Sequence, residues 1–300
     1  MQSTEEHTGE RMLLGTCVIE GLFPIMAVVM ARKFPPVLFT AISSLCASVI
    51  FLIYLWFSHR LSQQISIRAL LYSLGVAVFV VMTLALILIG AKFTSSVNVA
   101  LLLQTEMLYT FIFATIILGE RLFQWQLVGV AFVFLGTVLV IFNGTFDLNT
   151  GDVIIIGACV FFPIGNMFAK KALAFISTDT LLFLRYLLGG SLLLVVSFLF
   201  EDFSNLEYGF DANTLAVFAV YVVLFLVMSK VLWYGGLKRL AMGKAVYIIS
   251  ASPAFSLLFA FILLREIPTW YQFAGFAFTV TGIYFLISRQ KVASTIIEPL

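Results

Sequence analysis

Four ionisable side chains lie within long apolar stretches of the sequence, where charged residues are rare: Glu20, Glu106, Arg185 and Lys230. An apolar environment disfavours the charged form of a carboxyl group, so either glutamate could take up and release a proton. Either could also receive an ammonium group. Lys230 is followed within one helical turn by Trp233, and together they could hold a carboxylate that carries a planar or apolar tail. These residue types favour reversible binding of small charged molecules.

The same charges also have structural explanations. Glu20 or Glu106 could pair with Lys230 or Arg185 and thereby fix the packing of helices. Lys230 could extend its aliphatic stem so that the ammonium group reaches the membrane interface. Arg185 lies near one end of its apolar segment, where we expect it to act as an anchor or to pair with Asp179.

Polar and aromatic residues near these charges complete a predicted site. Tyr109 shares a helical face with Glu106. Pro24 follows Glu20 by four residues and releases its carbonyl from helical hydrogen bonding, and Asn166 lies similarly close to Pro163. We predict that Glu20, lacking a close cation, couples transport to a proton and that Glu106 contributes mainly to binding. The predicted substrate-binding or coupling residues are Glu20, Glu106, Lys230, Asn166, Trp233, Tyr109 and Tyr247.

The composition predicts an integral membrane protein. Hydrophobic residues make up 62% of the chain and charged residues 11%, and the mean hydropathy is +1.11. The apolar stretches lack the alternation of a membrane barrel, so we expect helices of about 20 residues each. The sequence divides into ten such segments: 12–30, 36–57, 67–90, 97–118, 125–142, 153–173, 180–200, 213–236, 245–264 and 269–288.

Two halves of the chain repeat each other. When residues 92–141 are moved forward by 146 positions, Lys92 falls on Lys238 without any gap. The early segments align more weakly at an offset of 142, where Gly15 falls on Gly157. The other matches at the first offset include Glu120 with Glu266, Gln126 with Gln272, Gly129 with Gly275 and Gly136 with Gly282.

The repeated residues suggest structural roles. Glu120 and Glu266 occupy polar breaks at segment ends, where we expect them to cap helices. The paired glycines form small-residue stripes that allow helices to approach closely, either within one chain or between two protomers of a homodimer.

Basic residues predict the orientation of the segments. If the N-terminus is cytoplasmic, eleven lysines and arginines fall in cytoplasmic positions and four in external ones. Both termini are then cytoplasmic. Since each half holds five segments, the second half is inverted relative to the first, an arrangement typical of secondary transporters.

The repeated motif resembles the EamA family of the drug/metabolite transporter superfamily. Each copy has a Glu break (Gly119-Glu120 and Arg265-Glu266) followed by a Gln-x-x-Gly helix (Gln126–Gly129 and Gln272–Gly275). The resemblance implies an all-α membrane fold of ten transmembrane helices, arranged as two inverted five-helix repeats around a central cavity. The repeats span residues 12–142 and 153–288, and residues 289–300 form a cytoplasmic tail. Export is the direction that the resemblance favours.

We therefore predict a secondary transporter of small polar or amphipathic metabolites such as amino acids, in the cell (inner) membrane. The partners are the lipid bilayer, a small-molecule substrate and a coupling proton, with no nucleic acid, metal or cofactor. The sequence has no phosphate-binding Gly-rich loop, and its two histidines lie outside the apolar segments, so we expect no enzyme activity. A nucleotide-sugar or organophosphate exchanger, a passive channel and a non-transporting membrane scaffold are the alternatives.

Overall fold

The chain folds into apolar helices. The computed structural model describes residues 2–59, 65–118, 124–142, 149–203, 212–237, 239, 240, 245 and 248–287, and these residues form no β-strand. Six of the helices described are long and apolar enough to cross a membrane. The predicted all-α, multi-pass membrane protein is thus confirmed, whereas the count of ten spans stays a prediction. Glu120, Lys238, Tyr247 and residues 289–300 lie outside the described residues.

The first half contains seven described helices. The segment between α3 and α4 is a π-helical turn, Ala77–Val81, so that the helix runs without a break from Ile67 to Ala91. The bounds are α1 (Gln2–Lys33), α2 (Pro36–Phe57), α3 (Ile67–Val76), α4 (Met82–Ala91), α5 (Ser96–Leu102), α6 (Thr105–Leu118) and α7 (Gln124–Phe142).

The second half repeats much of this pattern. A π-helical turn, Val222–Met228, joins α11 to α12, and another, Ala260–Leu264, extends α13. The bounds are α8 (Thr150–Cys159), α9 (Phe161–Ala172), α10 (Thr178–Phe200), α11 (Ala212–Tyr221), α12 (Ser229–Leu237), α13 (Ser252–Phe259) and α14 (Trp270–Ile287).

Short polar side chains fix the starts of several helices. Ser66 accepts a hydrogen bond from the backbone N–H of Ala69 at the start of α3, and Ser95 does the same for α5. Ser177 caps α10, and Asn149 caps α8. Because the first N–H groups of a helix have no partner within it, these caps set where each apolar segment begins.

Helices α7 and α14 pack against each other through the repeated glycines. A methyl group added at Gly136 would lie 2.7 Å from the carbonyl oxygen of Gly275. A methyl group added at Gly282 would lie 2.7 Å from the carbonyl oxygen of Gly129. The two contacts are equivalent by the repeat, because Gly136 corresponds to Gly282 and Gly275 corresponds to Gly129. Such reciprocal contact is the pattern of a local two-fold axis between antiparallel helices. The predicted close packing is confirmed, and it lies within one chain.

A second pair of related contacts joins other parts of the two halves. Gly90 of α4 lies against Ile155 and the carbonyl oxygen of Gly151 in α8. Its repeat equivalent, Gly236 of α12, lies against Leu13 and the carbonyl oxygen of Gly9 in α1. Since Leu13 and Gly9 are the equivalents of Ile155 and Gly151 at the 142-residue offset, the same interface is built twice.

Interruptions of the helices also recur at related positions. The π-helical turns at 77–81 and 222–228 coincide when the first is moved by 146 residues. The break between α5 and α6, at residues 103 and 104, corresponds to the turn at Ser250 and Ala251 before α13. Because π-helical turns and broken helices change the direction in which side chains point, these interruptions decide what faces the interior.

Candidate functional site

An ion pair joins the two halves at the contact between α1 and α12. The Nζ atom of Lys230 donates a hydrogen bond to Oε1 of Glu20 over 2.7 Å. The hydroxyl of Ser229 donates a hydrogen bond to the same oxygen. Ser229 and Lys230 directly follow the π-helical turn Val222–Met228, which orients the first turn of α12 toward α1.

This ion pair corrects one prediction about Glu20. The sequence predicts a carboxylate without a close cation, and that prediction is wrong because Lys230 is in direct contact with Glu20. Lys230 is held inside the helix bundle by the same contact, instead of extending to the membrane interface. At the related positions of the other half, the chain carries Phe162 and Leu84, so only one of the two related interfaces has charges.

Glu106 lies near this pair, at the start of α6. The break at residues 103 and 104 places it in the first turn, where free backbone N–H groups and the helix dipole favour a carboxylate. Asn166 lies near the carboxyl group of Glu106, and Lys230 and Glu20 both lie within its electrostatic range. No described lysine or arginine forms an ion pair with Glu106.

The charged groups keep accessible surface although they lie on apolar helices. About a quarter of each side chain in the ion pair is accessible, 25% for Glu20 and 26% for Lys230, although both lie well within apolar helices. Glu106 is partly accessible, and Asn166, in the middle of the apolar segment Thr150–Ala172, is exposed. These residues lie close to one another across α1, α6, α9 and α12, and part of the surface of each is accessible.

The remaining predicted site residues differ in their distance from this cluster. Tyr109 is half-buried beside Cys159, which itself lies next to Glu106. Trp233 instead packs with Leu13 and a separate apolar group. The structure thus brings together Glu20, Lys230, Glu106 and Asn166, with Tyr109 adjacent, and sets Trp233 apart. Tyr247 is outside the described residues.

Two neighbours of the cluster escaped the sequence reasoning. Ser229 bonds directly to Glu20, and the repeat gives a signal for it, since the related position is the hydroxyl residue Thr83. Tyr186 is fully buried, donates a hydrogen bond to the carbonyl oxygen of Leu226, and lies within electrostatic range of Lys230. Tyr186 lies in an apolar stretch of the sequence, so no pattern distinguishes it from other core residues.

Arg185 also differs from its prediction. It is only 8% exposed, and its Nε atom is buried with no hydrogen-bond partner. Its guanidinium lies 5.0 Å from the ring centre of Tyr186. Across the described part of the chain Arg185 makes neither an ion pair nor a hydrogen bond, so the expected pairing with Asp179 is wrong.

A hydrogen-bond network of uncharged and acidic side chains connects several helix ends. These ends lie on the side of the bundle opposite the last turn of α12. Asp152 accepts hydrogen bonds from the Thr94 hydroxyl at 2.5 Å and from the amide of Asn98 at 3.1 Å. The amide of Gln272 in turn donates to Asn98 over 2.7 Å. At the start of α5, the hydroxyl of Ser96 donates to Glu266 over 2.6 Å and the backbone N–H of Val97 donates to the same oxygen over 3.4 Å, so Glu266 caps this helix.

Comparisons with known proteins agree with this architecture. A solved crystal structure superposes with a TM-score of 0.66 at 16% sequence identity and covers 93% of this chain and 96% of its own. At that identity the likeness concerns the fold alone.

Relatives by sequence are named as transporters. The uncharacterized transporter YyaM of Bacillus subtilis is 27% identical over 91% of this chain and 91% of its own length. An uncharacterized transporter of Archaeoglobus fulgidus is 25% identical over 67% of this chain and 70% of its own. The model of the EamA-like transporter family matches residues 7–142 and again residues 149–288. Two matched repeats therefore cover nearly the whole sequence, and the chain belongs to the EamA-like transporter family.

Proposed function

We propose that the protein is a secondary transporter of small polar or amphipathic metabolites, of which amino acids are the leading class, and that it works as an exporter in the cell membrane. One observation carries this proposal: a polar and charged cluster of Glu20, Lys230, Glu106 and Asn166 joins the two repeats, and part of its surface is accessible. Ionisable groups within a membrane are expensive, so they are expected at a pathway or a binding site.

The helix interruptions support the same proposal. Substrate sites of secondary transporters are typically formed by discontinuous helices at the interface between repeats. Here Glu106 directly follows the break between α5 and α6, and Lys230 directly follows a π-helical turn. Both interruptions recur in the other repeat, whereas the charges of Glu106 and Lys230 do not.

We propose ten membrane-spanning helices in two inverted repeats. The antiparallel contact of α7 with α14 supports inversion, because these helices are equivalent in the two copies. An ion pair of 2.8 Å between Glu5 and Arg239 supports placing the N-terminus and the end of the α12 region on one side of the membrane. The excess of basic residues on that side favours the cytoplasm.

Proton coupling, if it uses one carboxylate, is better assigned to Glu106 than to Glu20. Glu20 already shares a hydrogen-bonded contact with Lys230, which stabilises its charged form. Glu106 has the neutral amide of Asn166 and no direct cation among the described residues. A carboxyl group in that position can change its protonation without breaking an ion pair.

Transport by purified protein in liposomes tests the proposal. Radiolabelled amino acids, amines, nucleosides and sugar phosphates are offered with and without an imposed pH gradient. We expect saturable uptake of at least one amino acid that increases with the gradient in the wild type. In Glu106→Gln, uptake should persist down a substrate gradient but lose its response to the pH gradient.

Glu20→Gln serves as the matched control, since it removes one carboxylate while leaving Glu106 in place. We expect weaker binding in this variant but a retained response to pH. A full pH response in Glu106→Gln, together with its loss in Glu20→Gln, would return the coupling role to Glu20. If no class of compound is taken up by a folded wild type, the proposed function itself is wrong.

A further inference from the structure

We propose that Arg185 is the receptor for a carboxylate group of the transported substrate. The proposal rests on the function given above and adds the residue that would hold the carboxylate of a zwitterionic substrate such as an amino acid. The sequence predicts that Arg185 is an anchor or pairs with Asp179, and among the described residues the structure gives its Nε atom no hydrogen-bond partner.

A buried arginine without a partner calls for an explanation. Arg185 is 8% exposed, and its Nε atom is buried without a hydrogen bond. A guanidinium remains charged at every physiological pH, so it cannot avoid the desolvation penalty by losing its proton. The aromatic ring of Tyr186 at 5.0 Å offsets part of this penalty but accepts none of the five N–H donors in a conventional hydrogen bond. An oxyanion bound from the cavity would satisfy them.

The position of Arg185 fits a role in the same site. Arg185 lies seven residues after the start of α10, and Lys230 lies seven residues before the end of α12, so each is about 10 Å from that helix end. Lys230 lies within electrostatic range of both Arg185 and Glu20. Tyr186 lies within range of Arg185, Lys230 and Glu20, which places Arg185 at the edge of the charged cluster.

The charges of the cluster favour a carboxylate over a phosphate. Lys230 is neutralised by Glu20, which leaves Arg185 and Glu106 as the two groups without an ion-pair partner in the described structure. The planar guanidinium can bind a carboxylate through two parallel hydrogen bonds. A substrate with one negative and one positive group leaves the cluster neutral, whereas a doubly charged phosphate would leave a net negative charge and would be repelled by Glu106.

A matched set of probes tests the proposal on the wild type, in nanodiscs. The set consists of L-leucine, L-leucinamide, isoamylamine and isoamyl phosphate, and binding is measured by competition against radiolabelled L-leucine and by thermal shift. The amide and the amine keep the ammonium group and the apolar tail but lack the carboxylate. We expect L-leucine to bind roughly 10- to 100-fold more tightly than L-leucinamide, the range of a hydrogen-bonded charged pair.

The same set is then measured on Arg185→Gln and Arg185→Lys. We expect Arg185→Gln to bind L-leucine and L-leucinamide equally, with L-leucinamide binding unchanged from the wild type. Arg185→Lys should keep part of the preference for L-leucine over L-leucinamide, because lysine carries the charge but cannot form two parallel hydrogen bonds to a carboxylate. A purely structural arginine would instead weaken all the probes together.

Three results would overturn the proposal. They are equal binding of L-leucine and L-leucinamide by the wild type, tighter binding of isoamyl phosphate than of L-leucine, and a carboxylate preference that survives in a folded Arg185→Gln. If L-leucinamide or isoamylamine is transported while the carboxylate has no effect, the transporter function stands and only the role of Arg185 falls. If the wild type binds and transports none of the probes or of the wider panel, both proposals fall.

Discussion

At the scale of single residues, the Glu20–Lys230 pair is the contact that most clearly needs both repeats. Glu20 lies on α1 in the first repeat, and Lys230 and Ser229 lie on α12 in the second. Removing one member of a buried pair leaves the other charge without compensation, whereas replacing both by apolar residues can be nearly neutral. Single and double substitutions can therefore separate the contribution of this pair to stability from its contribution to function.

We expect Glu20→Gln and Lys230→Met each to lower the stability of the folded protein by about 1–2 kcal/mol, because each leaves a partly buried polar group without its charged partner. The double variant should recover most of this loss. The measurement is thermal unfolding of the four proteins in one detergent, read as a double-mutant cycle. Additive losses in the double variant would show that the two side chains do not stabilise each other.

Sequence reasoning reached the correct residues but not their partners. Glu20, Lys230, Glu106 and Asn166 stand out because charges and amides are rare in apolar segments, and the structure brings these four together. Which carboxylate receives Lys230 depends on the register of α1 against α12, and a single chain sequence does not encode that register locally. The predicted pairing of Arg185 is wrong for the same reason, since proximity in sequence to Asp179 does not imply contact.

At the scale of helices, close approach of backbones holds the two repeats together. An added methyl group at Gly136 would meet the Thr279 hydroxyl and would lie 2.7 Å from a backbone oxygen of α14. At Gly157 of α8 there is no described atom within 4 Å of the same position. Both glycines lie within helices, but Gly136 is in close contact with α14 whereas Gly157 has open space beside it.

We expect Gly136→Ala to destabilise the protein by roughly 1–3 kcal/mol, because the methyl group forces α7 and α14 apart. Gly157→Ala should be neutral or stabilising by up to about 1 kcal/mol, the difference in helix propensity. Thermal unfolding and the yield of monodisperse protein measure both effects. A Gly136→Ala variant as stable as Gly157→Ala would contradict the described packing of α7 with α14.

The repeat makes these helix contacts predictable, whereas the helix interruptions are not. Glycines at seven-residue intervals in both copies indicate a packing stripe from the sequence alone. The π-helical turns at 77–81 and 222–228 occur in apolar runs without Gly or Pro, so neither composition nor periodicity marks them. They arise from the packing of each helix against its neighbours, which is a tertiary effect.

At the scale of the whole molecule, contacts between helix ends constrain which ends share a side of the membrane. Backbone N–H groups of Val37 and Leu38 donate to Glu201 over 2.8 and 2.7 Å, which joins the start of α2 to the end of α10. The ion pair of Glu5 with Arg239 joins the start of α1 to the region after α12, at the other end of the bundle.

We expect reporter fusions after residue 288 and within residues 206–211 to be located on opposite sides of the membrane, with the fusion after 288 in the cytoplasm. The reason is that an even number of spans returns the chain to its starting side, and the basic residues favour the cytoplasm for that side. Phosphatase and fluorescent-protein fusions measure the two locations. Finding both fusions on one side would contradict ten spans in inverted repeats.

The presence of charges at only one of the two related interfaces has an energetic consequence. If the halves were identical, exchanging their conformations would convert an inward-open state into an outward-open state of equal free energy. Glu20 and Lys230 occupy positions where the other half carries Phe162 and Leu84, so this degeneracy is removed. A gap of only about 1.4 kcal/mol would give a tenfold excess of one state. We therefore expect the empty carrier to be open mostly on one side of the membrane, with the ion pair contributing to which side that is.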